Sequence, residues 1–320
     1  MPKQDQPPTI GIDLGGTNIQ CGVVTDGEVT ARDDTKTKAA EGADEVIRRI
    51  VKLCDKVLEE ASLKRKDVAG LGIGAPGAIN IKKGEVIKAL NLGWTDFPLQ
   101  KILEKELGLP VVVDNDVNVG AWGEHQAGAG EGFDDLFAIF VGTGIGGGLV
   151  LNNRIFHGVN HTAGEIGHTL LSADAGLGRR TVEDLGSRTN IVNLLTQLIE
   201  GGHPSVVPEL VDGDLSRVRS KILAQAVKRD DPLTIRVAQQ AATYVGQAIA
   251  NTVTLLSLPC VVVGGGATEA MGEQWMGWVR GAFEAHVFPE ELKSCRIVAS
   301  TLGDDAGVVG AGLLAAEQAL

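Results

Sequence analysis

The sequence contains 320 residues, of which 43% are hydrophobic and 22% are charged, and its formal net charge is −12. This length favours two domains over one small module, and no apolar run approaches the ~20 residues that a membrane-spanning helix needs. Lysine and arginine are dispersed through an acidic chain, so a nucleic-acid backbone would be repelled and we expect no such partner.

The N-terminal segment MPKQDQPPTI is polar and lacks the apolar core and the cleavage site of a secretion signal, which predicts a cytoplasmic protein. The cysteines are too far apart for a C-x-x-C metal pair and are expected to be reduced core thiols: Cys21, Cys54, Cys260 and Cys295. The 43 glycines depart most from average composition. Fifteen of them form four clusters beside strand-like runs, where glycine would let the backbone approach a ligand closely: 11–16, 70–77, 142–148 and 264–266.

The first half of the chain begins with short β-branched runs and the Asp26-Gly27 turn, which predict an antiparallel meander over 9–15, 18–24 and 28–36. An amphipathic helix, a buried strand ending at the loop GAPG, a second helix and the strand VVVD follow. We place these elements at about 43–60, 68–74, 98–107 and 111–114, with a further helix from Val117.

The second half opens by repeating the first pattern. The run LFAIFVGTGIGGGLVLNNRIF predicts a strand, a glycine turn, a strand, an Asn-Asn turn and another strand, as 139–148 resembles 10–18. Two lobes on a related plan are therefore expected. The remaining elements alternate between helices and strands, which indicates an α/β fold: helices at about 188–199, 215–227, 232–256, 270–286 and 305–318, and strands at 260–266 and 296–300.

Three glycine turns are candidate phosphate or nucleotide sites. In 13–18 (DLGGTN), backbone N–H groups and the Thr17 hydroxyl could cradle phosphates while Asp13 holds Mg²⁺. An ordinary hairpin turn could have the same sequence. In 142–148 (GTGIGGG), a strand follows the formal G-x-G-x-x-G match, which excludes a dinucleotide fingerprint but not phosphate binding. The turn 264–266 lies between a strand and a helix, where a nucleotide crevice or a simple loop is expected.

Two polar segments are candidates for the acceptor side. The segment Asp114-Asn115-Asp116-Val117-Asn118 joins an apolar strand to a helix; capping explains one of its polar residues, and a carboxylate there suits a general base for an alcohol. The segment Glu165-Ile166-Gly167-His168, with Glu183 further on, suits recognition of a polyol. The H-E-x-x-H spacing of zinc proteases is absent. The neighbouring His157 and His161 are assigned no role.

Several of these blocks, in this order, resemble the ROK family (repressor, open reading frame, kinase) of sugar kinases. They are GIDLGGT (11–17), GIGAPGAIN (72–80), NLGW (91–94), DNDVN (114–118), GTGIGGG (142–148), GEIGH (164–168) and VVGGG (262–266). The resemblance implies the two-lobed actin-like and hexokinase-like ATPase fold, with a duplicated ribonuclease H-like motif. It also implies lobes at 1–120 plus 303–320 and at 121–302, and a homodimer.

The resemblance also implies a role for individual residues. Asp116 matches the catalytic base, which takes the proton of the sugar's primary hydroxyl. The sugar-binding positions are Gly74, Pro76, Gly77, Asn91, Asn115, Asp116, Glu165, His168 and Glu183. The positions for ATP and its Mg²⁺, with Asp13 nearest the metal, are Asp13, Gly15, Gly16, Thr17, Asn18, Gly142, Thr143, Gly144, Gly265 and Gly266.

One segment departs from the family pattern. Many members carry a zinc knuckle, C-x-C-G-x-x-G-C-L-E, after GEIGH, whereas here Asp174, Gly176 and Thr181 stand at the cysteine positions. Structural zinc is therefore not expected, since Asp174 and His168 cannot complete a four-ligand site. Ion pairs between the Glu183 side of the loop and Arg179 or Arg180 are expected to order it instead.

The expected activity is ATP- and Mg²⁺-dependent phosphorylation of the 6-hydroxyl of glucose or a close analogue. Fructose, N-acetylmannosamine, N-acetylglucosamine or another hexose, and polyphosphate as donor, remain open alternatives. A sugar-sensing repressor is disfavoured because only about ten residues precede the first strand and the chain is acidic. A sugar-binding protein without catalysis is the remaining alternative.

Overall fold

The computed structural model describes residues 7–172 and 180–318, which form an α/β fold. In these ranges the strands are β1 (Thr9–Leu14), β2 (Asn18–Thr25), β3 (Glu28–Lys36), β4 (Leu71–Ala75), β5 (Ala78–Asn80), β6 (Glu85–Ala89), β7 (Trp94–Phe97), β8 (Val111–Asn115), β9 (Leu136–Val141), β10 (Ile145–Val150), β11 (Cys260–Gly264) and β12 (Arg296–Ala299). The α-helices are α1 (Ala43–Glu60), α2 (Leu99–Leu107), α3 (Asp116–Ala127), α4 (Val182–Gly186), α5 (Arg188–Glu200), α6 (Val207–Leu210), α7 (Ser220–Lys228), α8 (Pro232–Leu256), α9 (Gly266–His286) and α10 (Ala306–Gln318).

Contacts divide the chain into two units. The first unit comprises Met1–Asp134, Gly148–Ala163 and Asp304–Leu320, and the second comprises Asp135–Gly147 and Gly164–Gly303. They differ from the predicted lobes at 121–134, 148–163 and 303. Helix α3 continues to Ala127 and packs on α10, which keeps the residues after 120 with the first unit. The lobe boundaries implied by the resemblance stay a prediction.

The first unit is built on a five-stranded sheet in the order β3-β2-β1-β4-β8. Strands β1, β2 and β3 are antiparallel neighbours, as the Asp26-Gly27 turn predicts, while β1, β4 and β8 are parallel. Helix α1 spans the predicted residues, and its apolar stripe is buried because side chains at helical spacing share one face. The order places the carboxyl ends of β1, β4 and β8 at one edge of the sheet, where ligands bind in α/β proteins.

A second, three-stranded sheet in the first unit, β5-β6-β7, follows the GAPG loop and was not predicted. Its strands have only three to five residues each and pair antiparallel. Runs this short carry too little alternation to stand out from loop sequence.

Helix α10 lies directly against the backbone of this unit's main sheet. A Cβ atom at Gly11 in β1 would lie 1.9 Å from the Val308 oxygen, and one at Gly72 in β4 would lie 1.8 Å from the Ala311 oxygen. Both oxygens belong to α10, so these glycines allow the helix, and not a ligand, to pack closely on the strands. The ligand interpretation of the first two glycine clusters is wrong for Gly11 and Gly72.

Substituting Gly310 of α10 tests this close packing. A Cβ there would lie 1.7 Å from the Val119 oxygen of α3. We expect Gly310→Ala to lower the free energy of unfolding by about 1–3 kcal/mol, as overpacking does. Thermal unfolding measures the change. The matched control is Gly281→Ala in α9, where nothing lies within 4 Å and alanine should stabilise the helix by up to ~1 kcal/mol; equal melting temperatures for the two variants would contradict the prediction.

The second unit contains a four-stranded sheet in the order β10-β9-β11-β12, with β9, β11 and β12 parallel. This order repeats β2-β1-β4-β8 of the first sheet, which confirms the predicted duplication. The prediction of a strand after the Asn-Asn turn is wrong, because this segment forms only an isolated β-bridge between Ile155 and Val150. The helix predicted at 215–227 is replaced by a 3₁₀ turn, Leu215–Arg217, and by α7.

The helices of the second unit include two that matter for the candidate site. Helix α5 begins at Arg188, directly after Ser187, whose side chain accepts from the Asn190 N–H. Helix α9 begins at Gly266, four residues earlier than predicted. None of the helices in the described part of the chain is long and apolar enough to cross a membrane.

Candidate active site

The junction between β8 and α3 presents the predicted acceptor residues of the first unit. Asn115 caps the helix: its Oδ1 accepts from the N–H groups of Val117 (2.9 Å) and Asn118 (3.2 Å), and its Nδ2 donates to the Gly77 oxygen (3.1 Å). Asp116 is the first helical residue and is half-buried, with Oδ1 2.9 Å from the Val117 nitrogen. The N-terminus of a helix stabilises an ionised carboxylate.

The other predicted acceptor residues of this unit lie in two places. Gly74 is buried under α3, where a Cβ would lie 2.4 Å from Val119 Cγ2. Pro76 is also buried, and Gly77 is exposed with φ of 90°, where a Cβ would lie 2.1 Å from the Lys88 oxygen. The structure therefore brings Gly74, Gly77, Asn115 and Asp116 together. Exposed Asn91 lies over Gly16 instead, since a Cβ at Gly16 would come 2.9 Å from Asn91 Nδ2.

His157 was given no role by the sequence and proves to contact the junction. Its Nε2 lies 2.7 Å from Oδ2 of Asp114, a carboxylate with only 1% of its surface exposed. The two residues are 43 positions apart, and the sequence carries no motif that would pair them.

The turn 13–18 joins β1 to β2 as a tight hairpin. The Gly15 N–H donates to the Asn18 oxygen (2.9 Å), and the Thr37 hydroxyl donates to the Gly15 oxygen (2.6 Å). Thr17 and Asn18 are exposed, and Asn18 Oδ1 accepts from Lys36 Nζ (2.9 Å). The turn thus presents the accessible Thr17 hydroxyl on a backbone that the hydrogen bonds of Gly15 hold in place.

Asp13 precedes this turn in an environment that disfavours its charge. Burial, and secondarily the negative charge of Asp304, raise the pKa of Asp13 to about 6, against the opposing effect of Arg32. Arg32 is itself paired with Asp305 and donates to Gln20 Oε1.

The donor set around Asp13 fits a magnesium ion carried by a nucleotide. No group of three or more metal-binding side chains occurs in the described residues. Mg²⁺ commonly takes one or two carboxylates, with phosphate oxygens and water completing its shell, so a closed protein cage is not required. Burial disfavours the charged form of Asp13, and a nearby cation would stabilise that charged form.

Glu183 and helix α5 hold the turn 142–144 in the second unit. Glu183 Oε2 accepts from the Ile145 N–H (2.8 Å), and a Cβ at Gly144 would lie 2.3 Å from that same oxygen. Arg188 Nη2 donates to Thr143 Oγ1 (2.7 Å), and its backbone N–H donates to the Gly142 oxygen (3.0 Å). The predicted sugar ligand Glu183 is therefore also part of the glycine turn.

Glu165 and His168 lie on the loop before α4. Their side chains are 51% and 72% exposed, with Glu165 Oε2 3.9 Å from His168 Nε2. Gly167 between them is buried, and a Cβ there would lie 2.1 Å from the Ile145 oxygen. The loop is thus packed against the start of β10, while both polar side chains stay accessible to a ligand.

The segment that replaces the zinc knuckle is described only at its two ends; Asp174, Gly176 and Arg179 lie outside the described residues. Leu170 and Thr181 form a β-bridge, and the Leu171 N–H donates to the Arg180 oxygen (2.9 Å). Among the described residues Arg180 forms no ion pair with Glu183, and its backbone N–H donates to Asp184 Oδ2 (3.2 Å); the expected alternative with Arg179 lies outside these residues.

Thr181, at a cysteine position of the zinc knuckle, caps helix α4. Its side chain accepts from the Asp184 N–H (3.1 Å), and its own N–H donates to Asp184 Oδ2 (3.1 Å). These Thr181 hydrogen bonds lower the pKa of the Asp184 carboxyl. A capping box thus closes the end of the loop.

The third glycine turn lies beside the second. Gly265 has φ of 87°, and a Cβ there would lie 2.8 Å from the backbone of Val141, the residue before Gly142. At Gly266, which begins α9, a Cβ would lie 3.2 Å from Ser220 Oγ. A polar pocket of about 820 Å³ also opens in this unit, lined among others by Thr143, Glu183, Asn190 and Arg219.

Comparison with known proteins extends over nearly the whole chain. The sequence profile of the ROK family matches residues 9–318. The glucokinase of Halalkalibacterium halodurans is 36% identical over 316 residues, which cover 97% of this chain and 95% of the relative.

Two solved structures share this fold. A ROK family glucokinase from Streptomyces griseus, in complex with glucose and AMPPNP, matches with a TM-score of 0.86 and 31% identity over 97% of this chain and 99% of its own. The ROK hexokinase from Thermus thermophilus matches with a TM-score of 0.80 and 28% identity over 97% and 98%.

Proposed function

Because the chain belongs to the ROK family, we propose that it is an ATP-dependent kinase that transfers the γ-phosphoryl group to the 6-hydroxyl of glucose or a closely related hexose. The observation that carries most weight is the likeness, at a TM-score of 0.86, to a glucokinase bound to glucose and AMPPNP. The half-buried Asp116 at the start of α3 supplies the base that this reaction needs.

On the acceptor side, Asp116 takes the proton of the sugar's 6-hydroxyl as the hydroxyl oxygen attacks phosphorus. Hydroxyl groups need both donors and acceptors, and Asn115, Glu165, His168 and Glu183 provide amide, imidazole and carboxylate groups. Because Asn115 Nδ2 donates to Gly77, the cap also fixes the loop of Gly74 to Gly77. We assign Asn91 to the rim of this side, over Gly16.

On the donor side, the turns 13–18 and 142–144 offer backbone N–H groups and the hydroxyls of Thr17 and Thr143 to phosphate oxygens. Thr143 Oγ1 accepts from Arg188, so its own proton stays available to a ligand. We assign the nucleoside end to Gly265 and Gly266. Asp13 would hold Mg²⁺, and a bound Mg²⁺ neutralises the charge that develops on the transferred phosphoryl group.

A panel of sugars and donors tests this function. Glucose, fructose, N-acetylmannosamine and N-acetylglucosamine are each combined with ATP or polyphosphate, and ADP release and phosphate-ester formation are measured. We expect glucose with ATP to give the highest kcat/KM and the 6-phosphate as product. Glucose binding without transfer from either donor would overturn the kinase and favour a sugar-binding protein.

Three further expectations belong to the same proposal. We expect a homodimer, as the resemblance implies, a cytoplasmic location and, because the knuckle cysteines are replaced, no structural zinc. Light scattering, cell fractionation and metal analysis check them. One tightly bound zinc ion per chain would contradict the third.

A further inference from the structure

Asp114 is a buried carboxylate in β8, two residues before the proposed catalytic base. Only 1% of its surface is exposed. Oδ1 accepts from the Asn115 N–H (2.7 Å) and from Asn118 Nδ2 (2.9 Å), and Oδ2 lies 2.7 Å from His157 Nε2. A buried carboxylate is costly unless its oxygens are paired, so each of these donors is needed.

His157 is the donor to Oδ2. An ionised carboxylate only accepts hydrogen bonds, so the imidazole Nε2 must carry the proton in this contact. The ring is half-buried, and the His161 ring meets it edge to face at a centroid distance of 6.3 Å. His157 comes from the segment after β10 and reaches the β8–α3 junction across 43 residues of sequence.

The contacts of Asp114 continue to the proposed site residues. Asp114 Oδ1 fixes the Asn115 backbone, and Asn115 Oδ1 in turn accepts from the N–H groups of Val117 and Asn118. Asp116 lies between Asn115 and Val117 on this hydrogen-bonded segment. A displaced Asp114 would therefore move both the sugar-binding amide and the base.

We propose that His157 is a positioning residue for phosphoryl transfer: its Nε2–H holds the buried Asp114 carboxylate, which sets the junction from which Asn115 and Asp116 project. The role of Asp116 in this proposal rests on the proposed function. The placement of the junction by His157 does not, and it can be measured without activity.

Activity is measured for His157→Ala and His157→Gln, since glutamine can present an N–H near the Nε2 position. We expect His157→Ala to lower kcat about tenfold to hundredfold, because small misplacement of catalytic groups has effects of this size. The KM for ATP should stay within about twofold, since the phosphate turns are untouched. His157→Gln should recover most of the loss, and the exposed His203→Ala is the matched control with unchanged activity.

Amide hydrogen exchange provides the second measurement. In His157→Ala, exchange at Asn115, Val117 and Asn118 should rise at least about tenfold, whereas exchange at Ile12 in β1 should not change. If exchange and kcat both stay at their original values, the proposal is wrong. If the unsubstituted protein phosphorylates no sugar, the proposed function fails, and unchanged exchange at the junction would separately overturn the role of His157.

The pairing partner is tested in a double-substitution cycle. In an Asp114→Asn background the buried charge is gone, so His157→Ala should have a smaller effect on exchange and kcat than in the original protein. Equal effects in both backgrounds would show that His157 acts without Asp114 and would overturn the proposal.

Discussion

Replacing Asp116 with asparagine should lower kcat for glucose phosphorylation by about 10²–10⁴, the usual contribution of a positioned general base. Asparagine has the same shape and keeps an oxygen for the Val117 N–H, which lies 2.9 Å from Asp116 Oδ1. It cannot take the proton of the attacking hydroxyl. Glucose affinity, measured by equilibrium titration, should stay within a few-fold of the original, since sugar binding also uses Asn115 and the loop side chains.

The matched control for this variant is Asp44→Asn. Asp44 is an exposed acidic residue in the first turn of α1, so its loss removes a helix N-terminal charge as Asp116→Asn does. Each change should lower the free energy of unfolding by about 0.3–1 kcal/mol. Full activity in Asp44→Asn would assign the loss in Asp116→Asn to proton transfer, and near-normal kcat in Asp116→Asn would refute the assignment.

The strands and helices with strong periodicity are predictable from this sequence. Helix α1 occupies the predicted residues because its apolar side chains recur at helical spacing, and β1 to β3 follow from a glycine turn between β-branched runs. Strands β5 to β7 are not predictable in this way, because runs of three to five residues show too little alternation to be told from loops. The Cβ clashes at Gly11 and Gly72 show the same limit, since nothing in either local segment reveals that α10 packs there.

The candidate site is predictable where one segment carries the chemistry. Asn115 and Asp116 are adjacent at the end of β8, so the helix cap and the proposed base can both be predicted from this one segment. His157 is not predictable because its contact with Asp114 depends on the chain returning after β10. The contact of Glu183 Oε2 with the Ile145 N–H also depends on tertiary packing, because the two residues are 38 positions apart. The sequence therefore identifies candidate site residues within one segment, whereas contacts between distant segments become visible only in the folded structure.

The wild-type carboxylate at Asp13 should make the folded chain less stable than an uncharged amide would. Burial, with Asp304, raises its pKa from the usual 3.8 to about 6. In the absence of nucleotide and metal we expect Asp13→Asn to raise the free energy of unfolding at pH 7.5 by up to about 3 kcal/mol. The same variant should lose at least about a hundredfold in kcat/KM, because the phosphoryl group loses an electrostatic partner. Denaturant unfolding in a chelator and steady-state kinetics measure the two effects.

The pH dependence gives this prediction its sign. Above pH 6 Asp13 is ionised in both the folded and the unfolded chain, so the full cost of the buried charge is present. Between about pH 6 and 4 the folded chain takes up a proton that the unfolded chain does not, so the original protein gains stability as the pH falls. The advantage of Asp13→Asn should therefore shrink over this window and vanish near pH 4. The control for the change in net charge is Asp34→Asn, which removes one exposed charge from β3 of the same sheet. Addition of Mg²⁺ and ATP should stabilise the original protein more than Asp13→Asn, and an equal increase in both would refute the metal-holding role of Asp13.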